Sequence, residues 1–124
     1  MKIKKTFFND CYIFVCESFY DKRGSFTEIY NEKKIITSKK NLQFRCKQIN
    51  FISSHQNSLR GMHFQKKPFS QKKILRVIEG KIFDVVLDIR KSSKTFGQYR
   101  SFVLSEKNRH HIFIGDGFAH GYVT

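Results

Sequence analysis

A chain of 124 residues with 14 Phe, five Tyr and no Trp has apolar mass for one small core, so residues 1–124 read as a single domain. One Pro and seven Gly exclude collagen-like and low-complexity disordered sequence. The formal charge of +14 points to an anionic partner or a solvated, lysine-rich surface, and the scatter of the lysines along the chain favours the surface.

Residues 1–5 are basic, but Asn9 and Asp10 interrupt before the apolar stretch of a signal peptide can form. The longest apolar run, residues 12–16, predicts a short strand and falls far short of the roughly 20 residues of a membrane span. A turn around Asp21-Lys22-Arg23-Gly24 follows, and alternation over residues 25–30 predicts a strand. Residues 31–40 form the one plausible helix, with Asn31 as N-cap and Glu32 in its first turn. Residues 46–52 read as another strand. Residues 73–78 and 81–89 read as a hairpin joined at Glu79-Gly80, where glycine supplies the freedom of a tight turn. In the second of these runs Phe83, Val85, Leu87 and Ile89 share one face, and Ile82, Asp84, Val86 and Asp88 share the other. A face that mixes acids with aliphatics predicts a partly polar barrel interior. Residues 92–97 form a loop, and residues 99–104 and 111–114 form strands. Many short strands with turn signals predict an all-β antiparallel sandwich or barrel. Cys11, Cys16 and Cys46 are odd in number and form no C-x-x-C pair, which predicts no disulfide framework, no zinc site and a reducing, cytoplasmic setting.

Two histidines stand out. His63 lies in Arg60-Gly61-Met62-His63-Phe64-Gln65 and His120 in Gly117-Phe118-Ala119-His120-Gly121. They sit on separate segments near glycines, with Arg60 close to the first. That layout suits a pocket that holds an anion and moves a proton.

The motifs around them have a pattern. Asp21 to Glu28 resembles the D-x-R-G-x-F-x-E opening of the dTDP-4-dehydrorhamnose 3,5-epimerase family. Gln48-Ile49-Asn50 is similar to its Q-x-N segment, Arg60 to Gln65 to R-G-x-H-x-Q, and Gln71 to Ile74 to Q-x-K-L. Phe83 to Arg90 resembles F-D-V-x-V-D-x-R, Ser93 to Gly97 is similar to S-x-T-x-G, and Gly117 to Gly121 to G-F-A-H-G. The resemblance implies a cupin-like antiparallel jelly roll, a homodimer, and a dTDP-linked 4-keto-6-deoxysugar as substrate. It implies His63 as the base that removes protons from C3 and C5, and Lys73 as the cation at the C4 oxygen. By the same resemblance Arg60 binds the pyrophosphate, His120 contacts the sugar, and Gln48 and Asn50 supply polar contacts. Arg23 and Glu28 would reach the neighbouring subunit's site, where Phe26 could stack on the base. Each role has a plainer alternative: packed histidines, solvated lysines, a hairpin ion pair, surface amides, an aromatic in the core. Asp84 either orients a pocket group or belongs to a buried polar network.

No cofactor is implied. Cupin metal sites usually begin with H-x-H on one strand, and here Gln65 takes the second position. His110 and His111 are adjacent and would face opposite ways on a strand. No metal is therefore expected, nor a nucleic-acid partner, since no alternating basic–aromatic stripe is present. The sequence departs from the family at Ile114-Gly115-Asp116-Gly117, where a proline is usual. The family's catalytic tyrosine and the acid that orients its base fall beyond Thr124, and Tyr122 is too near His120 to replace the tyrosine. The expectation is thus a jelly roll incomplete at the C terminus with impaired turnover; the alternative is a sugar-nucleotide binding module without catalysis.

Overall fold

A computed structural model describes residues 2–38, 42 and 44–124. In chain order its elements are β1 (Lys2–Lys5), β2 (Cys11–Val15), β3 (Ser18–Asp21), β4 (Gly24–Thr27), α1 (Glu32–Ser38), β5 (Leu59–His63), β6 (Lys73–Arg76), β7 (Lys81–Asp88), β8 (Tyr99–Ser105), β9 (His110–Ile114) and β10 (Phe118–Val123). One four-stranded sheet has the order β1-β2-β9-β6, a second the order β5-β10-β7-β8, and β3 and β4 form a hairpin. Every pairing is antiparallel. The expected all-β, jelly-roll-like architecture is what the chain adopts.

The first sheet is buried on both faces, and its central strands are apolar on both for that reason. Cys11, Ile112 and Ile114 point toward the second sheet and pack with Phe8, Val77, Val86, Leu104 and Phe118. Tyr12, Phe14 and Phe113 point the other way and meet Ile35, Leu42 and Phe44. Helix α1 exists to supply Ile35. Its seven residues are too few for a helix to hold alone. Asn31 caps it as expected, its Oδ1 accepting from the Lys34 amide at 3.1 Å. The helix runs over Glu32–Ser38, and positions 39 and 40 of the expected span lie outside the described residues.

Three expectations need correction. Residues 73–78 and 81–89 do not pair with each other. β6 pairs with β9 in the first sheet, while β7 lies between β10 and β8 in the second. Gly80, at φ +79°, turns the chain from one sheet to the other rather than back on itself. Residues 46–52 have no regular structure, although Ile49 and Phe51 alternate with polar residues; both are more than 80 % exposed, at 87 % and 83 %. The strand expected over 25–30 ends at Thr27, because Glu28 turns to bind Lys34 and Asn31. β1, β3, β5 and β10 had no strand signal strong enough to read.

The acidic face of β7 goes inward as expected: Asp84, Val86 and Asp88 are all 0 % exposed. Asp88 closes the loop that follows. Its carboxylate accepts from Arg90 Nε and Nη2 at 2.9 and 2.8 Å, Ser93 Oγ at 2.7 Å and Thr95 Oγ1 at 2.6 Å. Burial pushes this carboxyl up, but the bonds from Arg90, Ser93 and Thr95 outweigh it and hold it well below the usual range. The acid and arginine of one motif and the serine and threonine of the next are thus partners in a structural clasp.

Candidate active site

β10 carries the site because it sits between β5 and β7. His120 lies opposite His63 on one side and Val86 on the other. Tyr122 lies opposite Arg60 and Asp84. Two residues of β10 therefore span three steps of β5, and the extra residue is a bulge. Alternation alone would send the side chains at 60 and 63 to opposite faces. The bulge returns both to the face that holds His120 and Asp84.

Gly61 makes that bulge possible. Its φ is +105°, and a Cβ there would lie 2.7 Å from Gly121 Cα and 2.7 Å from the His120 carbonyl oxygen. Gly121 answers it: a Cβ on that residue would lie 2.8 Å from the Arg60 carbonyl oxygen. Gly61 and Gly121, near the two histidines, let the two backbones approach, which gives these two glycines of the motifs a shared purpose.

The rings of His63 and His120 are 4.5 Å apart at 57°. His120 is 3 % exposed and its Nδ1 lies 3.2 Å from Asp84 Oδ2. Asp84 Oδ1 is buried without a hydrogen-bond partner. His63, by contrast, is exposed on β5. Lys73 enters from the opposite sheet on the inward face of β6, two residues before Leu75 of the core, and is half-buried.

These groups tune one another. Partial burial, then the charges of His120 and Lys73, hold His63 below its ordinary value, with Asp84 pulling it up. Burial lowers Lys73, again opposed by Asp84. Burial raises Asp84, against the pull of His120, His63 and Lys73. The result is an imidazole that is neutral near pH 7, and so able to accept a proton, beside an ammonium and a buried acid.

The structure thus brings together His63, His120, Lys73 and Asp84, with Arg60 on the same face. Arg60 Nε donates to Ser54 Oγ at 3.1 Å. Gln48 and Asn50 are exposed and bond each other, Nε2 to Oδ1 at 2.9 Å. Arg23 pairs with Asp21 at 2.6 Å at the tip of the β3–β4 hairpin, and Glu28 pairs with Lys34 at 2.7 Å. Phe26 is 68 % exposed on that hairpin and not in the core. Among the described residues no three or more His, Cys, Asp or Glu gather as a metal site would require. Two surface clefts of about 400 and 500 Å³ lie elsewhere, one lined by Lys4, Phe7, Ile13, Arg100 and His110, the other by residues 97–101. The histidine pair stands on an open face. Asp84 is the member that sequence reasoning left undecided; its signals were an acid on the aliphatic face of β7 and its place in the motif of residues 83–90.

Known proteins are similar to this chain in sequence and in fold. The sequence profile of dTDP-4-dehydrorhamnose 3,5-epimerase matches residues 5–124. The enzyme of that name from Shigella flexneri is 39% identical over 122 residues, 98% of this chain and 67% of the relative. The one from Methanothermobacter thermautotrophicus is 43% identical over 121 residues, 97% of this chain and 63% of the relative. The crystal structure of the Elizabethkingia anophelis enzyme superposes with a TM-score of 0.93 at 40% identity, covering 100% of this chain and 67% of that one. The Legionella pneumophila dTDP-6-deoxy-D-glucose-3,5-epimerase, solved with dTDP-4-keto-L-rhamnose, superposes at 0.92 with 35% identity, covering 99% of this chain and 64% of that one. The chain spans about two thirds of the length of these relatives. With the profile matched over residues 5–124 and the fold superposing along the whole chain, the chain belongs to the dTDP-4-dehydrorhamnose 3,5-epimerase family.

Proposed function

We propose that the protein epimerises a dTDP-linked 4-keto-6-deoxysugar by removing and returning protons at C3 and C5. The observation that carries the reading is an exposed His63 set against the His120–Asp84 pair, with Lys73 facing them across the two sheets. Protons beside a ketone are removable when the enolate oxygen is stabilised. His63 takes the proton. The Lys73 ammonium stabilises the C4 oxygen, and His120 contacts the sugar. Arg60 grips the diphosphate with its two-pronged donor face once it leaves Ser54. Gln48 and Asn50, exposed nearby in sequence, add polar contacts. The Legionella relative binds a dTDP-4-keto sugar, and a Bacillus anthracis relative 39% identical was solved with TDP and PPi; both ligands fit these roles.

Arg23 and Glu28 act in a homodimer, each protomer's β3–β4 hairpin reaching the partner's site with Phe26 stacked on the nucleotide base. Support comes from the hairpin itself, whose Phe19, Tyr20 and Phe26 are more than 60 % exposed, at 61 %, 68 % and 68 %. Residues 1–124 act as one unit in the cytoplasm and use no cofactor; His63 removes the proton, and inversion further needs an acid on the opposite face of the sugar, a role none of the side chains named fills, so turnover by these residues alone is impaired. No helix among the described residues is long and apolar enough to cross a membrane.

Incubation with dTDP-4-keto-6-deoxyglucose, followed by NMR at C3 and C5, tests the reading. His63→Asn lowers the rate by roughly 10²–10⁴-fold, the usual contribution of a positioned general base. Arg60→Ala raises KM with kcat nearly kept. A His63→Asn variant as fast as the unmodified protein contradicts the assignment. Tight dTDP binding with no turnover supports the non-catalytic binding module instead.

A further inference from the structure

Asp84 is a costly residue. It is 0 % exposed, it lies on β7 between Ile82 and Val86 of the core, and only one of its oxygens has a partner. An unpaired buried carboxylate oxygen costs free energy that an apolar side chain of similar size would avoid. The residues around it come from several elements: His120 on β10, His63 on β5, Lys73 on β6 and Cys11 on β2. Three of these are the candidate chemical groups of the site, and the fourth is an uncharged, buried thiol. Arg90, the other charged group that acts on Cys11, is engaged with Asp88 and Asp10.

We propose that Asp84 is a positioning residue of the epimerase site, fixing His120 as the Nδ1–H tautomer and supplying the buried negative charge that His63 and Lys73 share. This rests on the epimerase reading above. The tautomer follows from the hydrogen bond. A carboxylate only accepts, so Nδ1 of His120 carries the proton and Nε2 is left as an acceptor. A sugar hydroxyl can then donate to Nε2, which a histidine with the opposite tautomer would reject. The charge follows from burial: with no solvent and no second partner at Oδ1, its field is screened only by the protein and acts on the two nearest cation-forming groups. Asp84 favours the protonated forms of both, opposing the mutual repulsion of His63, His120 and Lys73. The fourth strand position of β7 thereby conditions a base on another strand without touching the substrate.

Ring NMR of the histidines separates this from a merely structural role and needs no turnover. In the unmodified protein, long-range ¹H–¹⁵N spectra show His120 as the Nδ1–H tautomer. In Asp84→Asn, which keeps the shape and removes the charge, the titration midpoint of His63 falls, because the one neighbour that raises it is gone. The acidic limb of the kcat/KM profile moves the same way, with KM nearly unchanged. An Nε2–H tautomer for His120 in the unmodified protein overturns the proposal whether or not the variant folds. So does an unmoved His63 midpoint in a folded Asp84→Asn. If the unmodified protein fails to epimerise while the tautomer and midpoint behave as stated, the enzyme reading fails and the electrostatic assignment of Asp84 stands.

Discussion

At the scale of the residue, function depends on which protons are held and where. His63 sits below its ordinary value through burial and its cationic neighbours, so its neutral, basic form persists to lower pH than a free imidazole's. The rate of proton removal therefore rises with pH through a midpoint below about 6.5 and is flat above it, which a pH–rate profile reads directly. A second histidine gives a stability signal of the same origin. His111 is 1 % exposed, and its Nε2 accepts from Arg76 Nη1 at 2.7 Å. Burial first, then the charges of Arg76 and His110, push it down to about 4. The unfolded chain takes up that proton near pH 6.5 and the folded chain only near 4, so between those values the unfolded state binds more protons and stability falls as the pH drops. The loss amounts to about 1.4 kcal/mol per pH unit and about 3 kcal/mol in all. Urea denaturation at pH 7 and pH 4.5 shows it as a difference that His111→Gln removes, since glutamine still accepts from Arg76 but does not titrate.

Single residues were also where the sequence was most and least legible. His63, His120, Lys73 and Arg60 could be picked out because their motifs carry them, and the fold gathers all four on facing surfaces. Asp84 could not be assigned, because alternation in β7 shows that an acid faces inward but not what it faces. That depends on β10, which is 36 residues away at His120. Arg23 and Glu28 have local partners within the chain, Asp21 and Lys34.

At the scale of the element, the β5–β10 bulge is the feature on which the site turns. The sequence shows its glycines but not the register they create. Gly61→Ala puts a methyl within 2.7 Å of the backbone of β10 at a positive φ, so the bulge must shift. The expected cost is a few kcal/mol, with Arg60 and His63 turned apart. Denaturation reads the first effect and dTDP affinity the second, and an alanine variant with unchanged stability and affinity would contradict this account of the bulge. Helix α1 offers a simpler case. Ile35, 1 % exposed, fastens it to Tyr12, Phe14 and Phe113, and Ile35→Ala costs about 2–5 kcal/mol. The hairpin expected across Glu79-Gly80 failed for a related reason. A glycine at a turn signals a change of direction, and only long-range partners decide whether the next strand returns to its neighbour or crosses to another sheet. β9, far along the chain, claims β6, and β8 and β10 claim β7.

At the scale of the whole molecule, the two sheets do different work. The first is buried on both faces and provides the frame; the second presents its inner face partly to core and partly to the histidine pair. The all-β class was legible from strand periodicity, and the jelly-roll order only from the resemblance, because alternation reveals strands and not their neighbours. The Asp88 clasp holds the loop between β7 and β8. Removing the acid leaves Arg90 its pair with Asp10 and takes an acceptor from Ser93 and Thr95, so Asp88→Ala costs about 1–3 kcal/mol in thermal or urea unfolding.

The central claim is that His63 strips hydrogen from carbons beside a ketone. Its most direct measurement is deuterium wash-in: the protein and dTDP-4-keto-6-deoxyglucose in D₂O, with label at C3 and C5 read by mass spectrometry and NMR. The account predicts label at these carbons with the unmodified protein, and label reduced at least about 100-fold with His63→Asn. Equal labelling by the two proteins, or none above the rate in buffer alone, would contradict it.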